Sequence, residues 1–344
     1  MNGRYTFIDG LRGLACMAVV LFHALRGNHI DIVSTDIVAL IVLGEAGVVI
    51  FFVVSGFVIM HSLFKVDLDM RGVWRFALRR SIRLDPPYWA AIVLVMGFSV
   101  IANAVVPGRV GRDYSVEQVA AHGLYLQEIL GYEHINPVFW TLCYEIQFYV
   151  VLALLLASRS VALIAIVYVV SLAWPLGLLP EVRGLFVNLI YSFLLGVGAY
   201  YSWRVPRARP WFVIYAGIVL VGAILHADLF ALVSGATALL LVSVAIAGQL
   251  GHLFNWRWLQ FLGMISYSLY LTHNPITGAT FRVWYMVAGR SPSDQVIGLM
   301  LSVVACILFA WIMHVVVEKP CIALARSSRL RPRSASVLAK NPAS

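Results

Sequence analysis

The 344-residue sequence predicts an all-α, polytopic membrane protein, a bundle of about ten transmembrane helices, and three observations carry that prediction. Hydrophobic residues make up 61% of the chain and charged residues 12%, too few polar groups to coat a water-soluble domain. Apolar runs of about 20 residues, the length needed to cross the hydrocarbon core, recur from end to end. The basic residues collect in the short segments between those runs.

Taken in order, the predicted spans lie near residues 8–27, 41–63, 87–106, 138–157, 161–179, 185–203, 211–226, 229–248, 260–281 and 296–317. With the N-terminus in the cytoplasm, the outward segments hold Arg26, Arg109, Arg112, Arg183, Arg282 and Arg290, which leaves 19 of the 25 basic residues inside. That imbalance predicts a multi-pass protein of the inner (plasma) membrane with both termini cytoplasmic. The net charge of +9 then reflects orientation and not a nucleic-acid surface. Residues 1–325 read as one transmembrane domain, and residues 326–344, basic and rich in Ser and Pro, as a disordered cytoplasmic tail in contact with anionic membrane lipid. The longest external segment contains "VEQVAAHGLYLQEIL", whose apolar spacing predicts one helix lying on the bundle or the membrane surface. "GLAC" at residues 13–16 precedes its apolar run, the wrong order for a cleaved lipoprotein signal, so the first span is expected to remain. Cys16, Cys143, Cys306 and Cys321 have neither Cys-x-x-Cys nor Cys/His ligand spacing, which predicts buried small residues and no metal site.

Ionisable groups inside spans are costly and mark function by default, with pairing inside the bundle as the ordinary alternative. Arg12 and His23 are 11 residues apart, about three turns plus 20°, so both project from one face of the first span roughly 16 Å apart along its axis. Glu145 in "FWTLCYEIQFYVV" falls at a depth comparable to that of His23, so the two are expected to pair, the acid orienting the imidazole. His273 in "ISYSLYLTHNPI" is a third polar group in the outer half, where Thr272, Asn274 and Pro275 predict a helix break. Between the second and third spans, "WRFALRRSIRLDPPYW" places Arg75, Arg79 and Arg83 on one helical stripe with Arg80 beside them. That stripe suits either headgroup contact or a phosphate, whose oxygens match guanidinium forks. "FFVVSGFVI" carries Ser55 and Gly56, small residues that allow close helix packing.

These stretches together resemble the acyltransferase 3 family, membrane-embedded acyltransferases that modify extracytoplasmic glycans and some secondary metabolites. The resemblance runs through "IDGLRGLACMAVVLFH", "FFVVSGFVI", "RRSIRLDPPYW", "NPVFWTLCYEIQFY" and "ISYSLYLTH", in the family's order, and closes with "VEKP". It implies catalytic roles for His23, Glu145 and Arg12, donor binding by Arg79, Arg80, Arg83 and Ser55, and acceptor contact or support from His273, Trp140 and Tyr144. Asp85 departs from the pattern, standing where an apolar or aromatic residue is usual, and is expected to weaken anion binding there. No appended esterase-like domain is expected, so the bundle or separate proteins would engage the acceptor.

The expected activity is transfer of an acyl group, most often acetyl, from cytoplasmic acyl-CoA to a hydroxyl of a glycan or glycolipid at the outer side. Acetyl-CoA would be a co-substrate and not a bound cofactor, and the oligomeric state, including association of copies, is left open. His23 would deprotonate the acceptor or carry the acyl group covalently. The alternative is a proton-coupled transporter or lipid-linked sugar flippase, against which the lack of an inverted repeat counts.

Overall fold

The computed structural model describes residues 5–31, 43–64, 66, 68–105 and 113–327. The predicted tail from residue 328 onward, Arg109 and Arg112 lie outside the described residues. The described chain is built from helices, with no β-sheet: α1 (Thr6–Arg26), α2 (Gly47–Leu63), α3 (Met70–Val105), α4 (Val116–Gly123), α5 (Gln127–Leu130), α6 (Trp140–Ser158), α7 (Val161–Ser171), α8 (Ile190–Arg204), α9 (Arg209–Leu225), α10 (Leu229–Ile246), α11 (Arg257–Ala288), α12 (Pro292–Met313) and α13 (Lys319–Ser327). Each predicted span overlaps one of these helices.

Seven helices among the described residues are long and apolar enough to cross a membrane, and the protein is membrane-embedded and multi-pass. The three predicted spans outside that set differ for physical reasons. α7 has 11 residues and α8 has 15, each short of a full crossing on its own, although a 3-10 turn from Phe186 to Leu189 extends α8. α11 has 32 residues but carries Ser266, Ser268, Thr272, His273 and Asn274 through its middle.

The chain divides into two compact units. The first comprises Met1–Phe51, Leu84–Cys143 and Gly248–Pro320; the second comprises Phe52–Arg83, Tyr144–Ala247 and Cys321–Ser344.

In the first unit, α1 and α11 run parallel with their backbones in contact. A Cβ added at Gly263 would stand 2.0 Å from the Asp9 carbonyl oxygen, and one added at Gly13 would stand 2.9 Å from the Gly263 nitrogen. Only glycine at the crossing permits that approach. One end is tied by Phe7 N–H to Leu250 O at 3.0 Å and by Gln260 Nε2 to Thr6 O at 2.8 Å. Farther along, Cys16 Sγ meets Ser266 O at 3.3 Å.

Pro275 does not break α11, contrary to the expectation from "THNPI". Proline has no N–H for the carbonyl four residues earlier, Leu271, and Asn136 Nδ2 donates to that oxygen at 3.2 Å instead. Asn136 is itself braced by Asn274 Nδ2 at 3.3 Å.

The segment between α3 and α6, expected to be external, departs from the single predicted helix. α4 is capped by Ser115, whose hydroxyl accepts from Gln118 N–H, and it stops at Leu124 before Tyr125 adopts a left-handed φ of 59°. Tyr125 then stacks on Tyr88 at 4.6 Å and donates to Asp85 Oδ1 at 2.9 Å. Docking of that ring accounts for the turn that splits α4 from α5.

In the second unit, α2 and α8 also pack backbone to backbone. A Cβ at Gly56 would lie 2.1 Å from Phe193 O and one at Gly196 would lie 1.9 Å from Val53 O. The packing reading of "FFVVSGFVI" is therefore correct for Gly56, whereas Ser55 faces a polar cluster. α3 is one unbroken 36-residue helix through Pro86 and Pro87, so the arginine segment and the third span are continuous.

Candidate functional site

Two histidines meet in the first unit. The parallel contact of α1 and α11 holds the same offset of 250 residues at Cys16 with Ser266 and at His23 with His273, so the glycine crossing sets the register that brings the rings together. His273 is 0% exposed, while His23 is half-buried. The ring centroids are 5.0 Å apart and His273 Nε2 is 3.3 Å from His23 Nδ1.

The surrounding oxygens determine which nitrogen carries the proton. His273 Nδ1 lies 2.8 Å from Tyr270 O and 3.1 Å from Leu269 O. Carbonyl oxygens only accept, so Nδ1 is the protonated nitrogen of His273 and its Nε2 is an acceptor. His23 Nδ1 also lies 3.0 Å from Val19 O and therefore donates to that carbonyl and to His273. His23 Nε2 is left as a lone-pair nitrogen, and it has no hydrogen-bond partner among the described residues. It is the nitrogen able to take a proton or an acyl group. Arg12 is half-buried three turns before His23 on α1.

A second cluster lies in the second unit. Ser55 Oγ donates to Glu145 Oε1 at 2.7 Å and stands 3.1 Å from Tyr149 Oη, and Tyr149 Oη also donates to Glu145. Arg80 lies over the Tyr149 ring at 5.1 Å and over Phe76 at 5.6 Å, and makes no ion pair among the described residues. Arg79 Nε donates to Ala325 O of α13 at 3.2 Å, and Arg83 is half-buried one turn on. The guanidinium of Arg80 is thus held by aromatic faces with its donors available, an arrangement suited to phosphate oxygens.

Within the first unit His273 supports the His23 imidazole, and within the second Glu145 accepts from Ser55 and Tyr149. Equal depth along two helices fixes an axial coordinate and leaves the direction of each side chain undetermined. Trp140 is half-buried at the start of α6 and Tyr144 is buried one turn later. Asp85 accepts from Tyr125. No group of His, Cys, Asp and Glu suited to a metal ion occurs among the described residues.

Sequence reasoning missed four residues. Tyr149 stands four residues after Glu145, on the same helical face, and that spacing was the available signal. Asn136 could have been sought as the partner of the carbonyl that Pro275 leaves open. His314 and Glu318, also four apart, lie in a π-helical turn where both are buried; His314 Nδ1 is 2.9 Å from Glu318 Oε2, which accepts from Ser268 at 2.7 Å.

Residues 5–314 match the family model described as an acyltransferase domain. The chain belongs to the acyltransferase 3 family. Acyltransferase 3 membership is supported by a curated relative, the BcsY protein of Komagataeibacter xylinus, which carries the provisional name of membrane-bound transacylase. It is 31% identical over 312 residues, which cover 82% of this chain and 75% of BcsY. No solved structure matches the chain. As an acyltransferase 3 protein the chain is a membrane-embedded transferase of acyl groups, and the transporter alternative has no comparable support.

Proposed function

We propose that this acyltransferase moves an acyl group, most often acetyl, from cytoplasmic acyl-CoA to a hydroxyl of a glycan or glycolipid at the outer face of the inner membrane. The observation that carries the reading is the lone-pair Nε2 of His23, whose opposite nitrogen is held by Val19 O and His273. As the acceptor oxygen bonds to the thioester carbon and the carbon–sulfur bond breaks, His23 Nε2 takes the hydroxyl proton and returns it to the departing thiolate. In the covalent route the same nitrogen first bonds to the carbonyl carbon as the carbon–sulfur bond breaks and the thiolate leaves; the acceptor oxygen then bonds to that carbon, the carbon–nitrogen bond breaks, and the hydroxyl proton passes to the freed Nε2. Positive charge develops on the imidazole in both routes. His273 then receives a shorter, charge-assisted hydrogen bond, which favours the transition state over the ground state.

In this reading Arg79, Arg80 and Arg83 take the donor's phosphates. Glu145 holds Ser55 and Tyr149, so that the tyrosine ring keeps Arg80 in place. Arg12 supports the donor side of α1, and Trp140 and Tyr144 support the acceptor side.

The test is release of CoA and formation of acylated product by the purified protein in liposomes supplied with acetyl-CoA and a membrane glycolipid extract. His23→Ala should abolish both in a protein that still inserts. Near-normal turnover by that variant would overturn the assignment, and a strong preference for a longer acyl-CoA would replace acetyl as the donor group. Orientation is tested by impermeant thiol labelling: a cysteine at the exposed Ser115 should react from outside and one at Arg207 should not.

A further inference from the structure

In the second unit, α6, α7, α8 and α9 enclose an apolar crevice of about 650 Å³. Leu152 and Leu156 of α6, Tyr168 of α7, Leu194 of α8 and Phe212 of α9 are among its walls. The shortness of α7 explains its presence. Eleven residues rise roughly 16 Å, about half the hydrocarbon thickness, so the helices beside it lack a full-length neighbour. Lipid-facing surface must then be completed by something other than protein.

One end of the crevice is distinct. The C-termini of α6 and α8 and the N-termini of α7 and α9 share it, and Tyr201, Ala208 and Trp211 line the crevice at that end. Tyr201 is 43% exposed and Trp211 75% exposed, as amphipathic rings are at the level of lipid headgroups. Arg204 and Arg207 are exposed in the turn between α8 and α9, and Arg209 is fixed there by donating from Nε to Ser202 O at 3.3 Å. No Asp or Glu occurs at residues 146–180 or 184–227, and Glu145, the one carboxylate on these four helices, accepts from Ser55 and Tyr149 near the opposite end of α6, so the helix ends at this end of the crevice bring no counter-charge of their own. An apolar slot therefore opens beneath an aromatic belt onto guanidinium groups that are not neutralised by their own elements.

We propose that the crevice is a binding site for an anionic phospholipid, with an acyl chain in the slot and its phosphate on Arg204 and Arg207. The chain supplies the packing that α7 is too short to give, and the two arginines select the phosphate-bearing headgroup by charge and by bidentate geometry. The occupant is a resident lipid of the membrane and is independent of the acyl-transfer chemistry.

The test is native mass spectrometry of the delipidated full chain in detergent, titrated with dioleoyl phosphatidylglycerol, dioleoyl phosphatidylcholine and dihexanoyl phosphatidylglycerol. The dioleoyl anionic lipid should bind about tenfold more tightly than either of the others, the change expected from one charge-assisted contact or from a few buried methylenes. Ala165→Trp fills the slot from its exposed side, and Arg204→Gln with Arg207→Gln removes surface charge; both are expected to fold, as size-exclusion profile and melting temperature would show. Each should lower affinity for dioleoyl phosphatidylglycerol about tenfold, and the arginine pair should leave phosphatidylcholine binding unchanged. Equal binding of the two dioleoyl lipids would overturn the headgroup assignment. Binding untouched by Ala165→Trp, or equal for the dihexanoyl lipid, would overturn the slot.

Discussion

Replacing His273 tests whether the second histidine positions the first. His273→Leu keeps the side chain apolar and similar in volume at a site with no exposure, and removes the acceptor for His23 Nδ1. Val19 O remains at 3.0 Å, so the imidazole keeps one partner and its tautomer. What is lost is a single hydrogen bond to a ring that becomes cationic during reaction, worth about 1.5–3 kcal/mol. At 1.36 kcal/mol per factor of ten, that predicts a fall in kcat of about 10- to 150-fold. Acyl-CoA KM should change little, because the neutral ring in the ground state gains less from the bond. His273→Gln can place an amide oxygen as acceptor and should recover part of the loss. The assay is CoA release in liposomes with protein quantified after insertion. A Leu variant whose kcat stays within about twofold of the parent would refute the assignment, since an effect that small falls below one neutral hydrogen bond.

Arg80→Gln should raise KM for acyl-CoA by about 10- to 150-fold with little change in kcat, the loss of one charge-assisted contact, and steady-state kinetics over a range of donor concentrations will show it. Gly263→Ala forces a methyl to within 2.0 Å of Asp9 O, so α1 and α11 must separate; a loss of at least about 1–3 kcal/mol and a lowered melting temperature are expected, with activity falling alongside as the histidine pair opens. His122, in the segment between spans, is kept neutral: burial holds its pKa below the ordinary 6.5, with the nearby His134 adding to the effect, and its Nε2 accepts from Ile135 N–H at 3.1 Å while Nδ1 donates to Gln118 O at 2.8 Å. An opened segment therefore binds the proton first, and its stability is complete above about pH 6.5 and falls as pH drops below that value. Limited proteolysis should cut residues 113–139 faster at pH 5 than at pH 7.5, and His122→Gln should flatten the difference.

The bundle was legible because apolar length is a property of the sequence alone, and the ten runs each found a helix. Continuity was less legible. "THNPI" reads as a break because proline removes a hydrogen bond, yet α11 continues, and the open carbonyl is served by Asn136, 135 residues away. No local pattern announces such a partner. The same limit governs the site. Arg12, His23 and the arginine stripe follow from spacing on one helix, whereas the presence of His273 beside His23 depends on how two helices are rotated. That rotation is set by Gly13 and Gly263, which in the sequence are two of 26 glycines with nothing to single them out.

The pairing of α1 with α11 also has a temporal side. The two helices touch at an offset of 250 residues, so the first span to leave the ribosome contacts its partner only after the seven predicted spans between them have been made. At about 5–20 residues per second, synthesis of the intervening chain takes roughly 12–50 s. During that interval the glycine face of α1, with Arg12 and His23 along it, must be accommodated by lipid, by the insertion machinery or by α2, whose Gly47 already seats against Ala15 O. Assembly of the histidine pair is therefore among the last events of biogenesis, and a chain truncated before α11 would carry the His23 imidazole without the helix whose His273 meets it.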